Sequence, residues 1–166
     1  AISIHFHRTD ATLGHVNNQT RLLSSLIEIA PMVSENSVIV LTGEPGITWH
    51  YDTVFWRFDI FTSMLRFIYD RDDLEAHLCY PVPGEWGDYH TQCRLDSNEM
   101  VITTDGATYH FPYERVIAFA YDPEQGVYLV DKILPAWMTS PGAEAYAPHN
   151  RIDQNAPLPP RLKAVF

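Results

Sequence analysis

Apolar side chains between residues 17 and 30 recur at spacings of three and four, with Leu22, Leu23, Leu26, Ile27 and Ala30 on one stripe. That spacing predicts an amphipathic helix from about Asn17 to Ala30, packed on a core and stopped by Pro31. Val38-Ile39-Val40-Leu41 is continuous rather than alternating and rich in β-branched residues, the pattern of a central strand buried on both faces. Helical spacing returns at Val54, Phe55, Phe58, Phe61, Leu65 and Ile68, so a second helix is expected from a cap at Asp52 or Thr53 to about Tyr69. After the charged connection Asp70 to Asp73, Leu74, Ala76, Leu78 and Tyr80 alternate with Glu75, His77 and Cys79, which predicts a half-exposed strand. Strand, helix and strand make a βαβ unit, with a right-handed crossover if the strands pair in parallel.

The stretch PVPGEWGDYH, Pro81 to His90, reads as a loop, and the pattern then changes. Short strand-like runs at His90–Leu95, Met100–Thr103, Ala107–Phe111, Arg115–Tyr121 and Val127–Leu134 are separated by DSNE, TDG, PYE and DPEQG, all rich in turn formers. They predict an antiparallel meander whose clearest hairpin is VIAFAYDPEQGVYLV, turning at Pro123 and Gly126. From Pro135 onward the chain holds six of the twelve prolines and few regularly spaced apolar residues, which predicts an extended arm rather than further elements. Trp137, Met138, Tyr146, Leu158 and Phe166 are its candidate anchors, on this domain or on a partner. The fold class is therefore α/β (α+β): a mixed sheet with a βαβ unit, an antiparallel meander and two main helices. Residues 1–134 form a single domain and residues 135–166 a Pro-rich arm.

Charge narrows the partners. A net charge of −10 with only 11 Lys plus Arg lacks the clustered cations that displace counterions from a phosphate backbone, so nucleic acid and anionic lipid surfaces are not expected ligands. No apolar run reaches the roughly 18 to 20 residues of a membrane span, and AISIHFHRTD lacks the pattern of a signal peptide. The sequence reads as a soluble chain or an excised part of a longer one. Cys79 and Cys93 are the only cysteines, and either one disulfide across adjacent strands or two buried free thiols fits them. Asn18-Gln19-Thr20 matches a glycosylation acceptor but falls where the first helix is expected to begin.

Candidate chemistry is sparse. SVIVLTGEPG has the glycines of a phosphate-binding turn, but Glu44 puts a carboxylate where phosphate should sit and Pro45 removes an amide donor. It reads as a strand exit, although the carboxyl end of such a strand is where a pocket is looked for first. His5 and His7 alternate on one strand face and are the metal alternative, with no third ligand set by spacing. Glu85, Asp88 and His90, with Asp105 and His110 on nearby predicted strands, are the residue types of general acid–base work; Asp88, His90 and His110 make the catalytic alternative. Cys79 or Cys93 beside His77 or His90 would be a nucleophile pair, while Ser24, Ser25 and Ser63 lie in predicted helices without a nucleophile elbow. No cofactor is expected. The aromatic helix DTVFWRFDIFTSMLRFIY is apolar around more than one face, so something packs on both sides of it.

The succession NQTRLLSSLIEIAPMVSENSVIVLTGEPG, FWRFDIFTSMLRFIYDRDDLEAHLCYP and FPYERVIAFAYDPEQGVYLV resembles the soluble C-terminal region of bacterial polytopic membrane proteins related to glycosyltransferases. The resemblance covers about Asn17 to Leu134, rests on apolar structural motifs and carries no active-site residue onto this chain. It implies a non-catalytic extramembrane accessory domain, extracytoplasmic and membrane-associated, whose partner is a protein or a membrane polypeptide. A small hydrolase or transferase using Asp88, His90 and His110 is the alternative.

Overall fold

The computed structural model describes residues 20–43, 58–79, 92–104, 106–122, 126–131 and 146–162. The continuous apolar run at 38–41 lies at its centre. Strand β1 (Val38–Gly43) is flanked on both sides by parallel neighbours, β2 (Glu75–Cys79) and β6 (Val116–Asp122), and β7 (Gly126–Leu129) pairs antiparallel with β6, giving the order β2-β1-β6-β7. A strand with partners on both edges and layers on both faces has no solvated side, and Val38, Ile39, Val40 and Leu41 are fully buried.

Each face of this mixed sheet has its own core. On one side Ile39, Leu41, Ala76, Leu78, Ile117 and Phe119 meet helix α1 (residues 20–29) and helix α2 (Phe58–Tyr69), through the stripe Leu22, Leu23, Leu26 and Ile27 and through Phe61, Leu65 and Ile68. On the other side Val38, Val40, Cys79, Val116, Ala118 and Ala120 meet a second, antiparallel sheet, β3 (Gln92–Leu95), β4 (Glu99–Thr104) and β5 (Ala107–Pro112), through Cys93, Leu95, Met100, Ile102 and Phe111. The result is an α+β arrangement of three layers: helices, mixed sheet, antiparallel sheet.

Two expectations change in detail. β2 is not half-exposed: the second sheet covers its other face, so His77 and Cys79 are buried as well as Ala76 and Leu78. The meander is interrupted after three strands, because a 3₁₀ turn at Tyr113–Arg115 returns the chain to the first sheet, where β6 lies parallel to β1 before the β6–β7 hairpin closes. Cys79 and Cys93 form a disulfide with Cα atoms 5.5 Å apart, and it joins β2 of one sheet to β3 of the other rather than two neighbours in one sheet.

Residues 146–162 lie against the domain. Tyr146 is buried, and its hydroxyl accepts a 2.7 Å hydrogen bond from Ala118 N–H. Val33 and Ile152 form an antiparallel bridge, reinforced by bonds from Ser34 N–H to Arg151 O and from Asp153 N–H to Met32 O. The turn before β1 is gripped by three arginines: Arg151 donates to Glu35 O and Ser37 Oγ, Arg115 to Asn36 O and Arg71 to Val33 O. Asn36 takes the left-handed conformation there, at φ 55°, and its N–H donates to Asp73. Leu158 does not anchor the segment on this domain, being 52% exposed. Trp137, Met138 and Phe166 lie outside the described residues.

Candidate functional site

Strand β5 has the most exposed side chains of any described strand. Ala107, Thr108, Tyr109 and His110 are all exposed, and only Phe111 reaches the core. β5 follows β4 through Asp105-Gly106, and Gly106 supplies the positive φ of 76° that such a short hairpin connection requires. It ends at Pro112, which cannot extend a hydrogen-bonded ladder.

The direction of its backbone groups follows from one bond. Tyr113 N–H donates to Asn98 O just beyond the β4–β5 ladder, which puts that position in the hydrogen-bonded class. The two classes of antiparallel pair alternate, so Met100–Phe111, Ile102–Tyr109 and Thr104–Ala107 share it. The N–H and C=O groups of Thr108 and His110 consequently point away from β4. β5 is the last strand in the order β3-β4-β5, and no described strand lies beyond it. Among the described residues this is an open sheet edge, of the kind that accepts a further strand.

The two faces of β5 differ chemically. On the inner face Tyr109 stacks on Phe111, interplanar angle 11° and centroids 6.4 Å apart, and both rings lie near the His77 imidazole of β2 at 6.4 and 5.5 Å. Arg115 sits over the Phe111 ring at 5.7 Å. Burial between the sheets pushes the His77 pKa down, partly opposed by the Glu75 carboxylate at 3.9 Å. On the outer face His110 Nδ1 is 2.8 Å from Glu99 Oε1, and the two threonine hydroxyls of Thr103 and Thr108 are 3.4 Å apart. A carboxylate that orients an imidazole is one component of a general base, but this pair is largely solvated, with the His110 side chain 56% exposed.

Of the catalytic alternative, only His110 falls within the described residues; Asp88 and His90 lie outside them, as do Glu85 and Asp105. The metal alternative, His5 and His7, also lies outside, as does the Glu44-Pro45-Gly46 turn. Among the described residues no group of three or more His, Cys, Asp or Glu side chains is placed to hold a metal ion. The disulfide removes Cys79 and Cys93 as nucleophiles. Ser24 and Ser25 are on α1 and Ser63 on α2, as their spacing predicts. One pair escaped the sequence reading: His149 Nε2 is 2.6 Å from Asp131 Oδ2, across 18 residues of chain, and no local motif marks it. No helix among the described residues is long and apolar enough to cross a membrane. No protein-family model, no curated protein and no solved structure matches this chain.

Proposed function

We propose that this chain is a non-catalytic interaction domain, held in an extracytoplasmic compartment as an accessory of a membrane protein assembly, and that its docking element is strand β5. The observation that carries this reading is the open β5 edge, with the backbone groups of Thr108 and His110 directed outward. A strand edge binds polypeptide because each main-chain donor and acceptor that points outward from it matches one on another extended segment. The Cys79–Cys93 disulfide supports the compartment, since such bonds persist where the surroundings are oxidising. The resemblance of the 17–134 region to extramembrane parts of polytopic proteins supports the association with a membrane assembly.

The test is mild-detergent extraction followed by size exclusion and mass spectrometry, on the wild type and on His110→Pro, which deletes one outward N–H. Wild type should migrate in a stoichiometric assembly through β5, and the variant should leave it. A wild-type protein that elutes as a lone chain of 19.0 kDa at every concentration refutes the reading. The 2.8 Å Glu99–His110 pair favours one second reading, a small hydrolase or transferase in which Glu99 orients His110. Loss of a measurable hydrolysis in both Glu99→Gln and His110→Gln, with assembly intact, would select it.

A further inference from the structure

We infer that the polypeptide that occupies the β5 edge is a second copy of this chain, joined about a two-fold axis into a continuous six-stranded antiparallel sheet. This rests on the reading of β5 as a docking strand and adds the identity of the occupant, so that what joins a membrane assembly is the pair of chains and not the single one.

The register is self-complementary. In a two-fold antiparallel pairing centred on Tyr109, Thr108 of one copy lies opposite His110 of the other, and the reverse holds across the axis. These are the two residues whose N–H and C=O groups point outward. Each of the two Thr108–His110 positions exchanges a pair of bonds, four in all, without moving the β4–β5 ladder. Tyr109 then faces its own counterpart as a non-hydrogen-bonded pair, the class in which side chains approach most closely. Tyr109 is 46% exposed in the single chain, so this pairing covers a large aromatic surface that otherwise meets water.

Charge permits the same occupant at this strand. A chain of net charge −10 repels its copies over most of its surface. Ala107–Pro112 is ATYHFP, with no Asp, Glu, Lys or Arg, and its histidine already has Glu99 beside it. A neutral window is where two like-charged molecules can meet, and it offers nothing to select a charged foreign strand. Natural edges are guarded by lysines, inward-pointing charges or prolines, and of these β5 carries only Pro112, at its end and beyond the Thr108 and His110 positions. An interface built on one six-residue strand falls below about 1,200 Å² in total, so the pairing is weak and concentration-dependent.

Sedimentation velocity of the full chain, from low micromolar to near-millimolar concentration, tests this with Tyr109→Lys, Tyr109→Glu and their mixture. Wild type should approach twice the 19.0 kDa chain mass. Each variant alone places like charges opposite each other and should associate about tenfold more weakly or less, while the equimolar mixture should regain the dimer. Near-ultraviolet circular dichroism confirms that each variant is folded. A wild type that stays monomeric, or a Tyr109→Lys protein that dimerises like wild type, overturns the proposal. If the purified chain is monomeric while His110→Pro still loses a membrane polypeptide in extracts, self-pairing falls and β5 as a docking strand stands.

Discussion

Replacing Tyr146 by Phe removes one oxygen atom and tests whether the C-terminal segment completes the sheet. β6 and β7 exchange bonds up to Val130 N–H, which donates to Ala118 O at 2.9 Å. The reciprocal bond of that pair, from Ala118 N–H to Val130 O, is not the one formed: Ala118 N–H donates instead to the Tyr146 hydroxyl at 2.7 Å. The residue is buried, and its ring packs edge-on against Tyr113 at 5.5 Å. Phe keeps that packing and leaves Ala118 N–H buried without its acceptor, a loss of about 1–3 kcal/mol. Relief of the burial of the hydroxyl itself offsets part, so about 1–2 kcal/mol is expected. Ala at the same position also loses the ring and should cost about 3–5 kcal/mol. Urea unfolding followed by circular dichroism measures both, with the slope unchanged if only stability has moved. Amide exchange at Ala118 gives the local readout and should accelerate in the Phe variant beyond what global destabilisation explains. A Tyr146→Phe protein within about 0.3 kcal/mol of wild type, with Ala118 exchange unchanged, would refute the claim that this hydroxyl closes the ladder.

Three further outcomes follow from the same contacts. Reducing Cys79–Cys93, which closes a loop of sequence separation 14, should cost about 3 kcal/mol, or roughly 6–12 °C in Tm for a chain of this size; a Tm unmoved by reductant, or by Cys79→Ala with Cys93→Ala, contradicts it. Acid should destabilise the fold in two stages. His77 is held neutral by burial, so unfolding takes up a proton and stability falls as pH drops below about 6.5. Asp73, whose carboxyl is held well below its ordinary range by Arg71 and by Asn36 N–H, adds stability that is full above about pH 4 and lost below it. In a Tm-against-pH series, His77→Gln should flatten the first stage and Asp73→Asn the second, and unchanged slopes would count against both assignments. Arg151→Ala should cost about 1–2 kcal/mol by freeing Glu35 O and Ser37 Oγ, and should speed exchange at Ser34 and Asp153 N–H, where residues 151–153 meet residues 32–34. Exchange at those two amides matching wild type would contradict it.

The elements legible from sequence are those whose environment leaves a period in the chain. The stripe Leu22, Leu23, Leu26 and Ile27 packs on one side only and is periodic for that reason, and the run at 38–41 is continuous because both its faces are covered. β2 misleads because the covered face carries polar residue types: Glu75, His77 and Cys79 look like a solvated row, yet His77 and Cys79 face the second sheet. β6 carried a usable signal. Val116-Ile117-Ala118-Phe119-Ala120 is as continuous as the run in β1, and continuity on that scale marks a strand between two layers rather than one more turn of a meander. Its parallel partner lies some eighty residues earlier, and no local pattern names a partner at that distance.

The site was legible only as residue types. His110 stands out as a histidine on a strand, but its orientation comes from Glu99, which sits diagonally across the β4–β5 register. Whether β5 is open depends on two facts that no side chain encodes: its place at the end of the sheet order, and the hydrogen-bond class of each pair, which decides whether Thr108 and His110 or their neighbours point outward. A shift of one residue in that class would direct Tyr109 and Phe111 main-chain groups to the edge and turn the neutral, self-complementary register into one centred on His110. The case for pairing between copies therefore hangs on the single bond from Tyr113 N–H to Asn98 O. Slow amide exchange at Tyr109 and Phe111, beside faster exchange at Thr108 and His110 in the dilute chain, is the solution signature of that arrangement, and the reverse order would remove its basis.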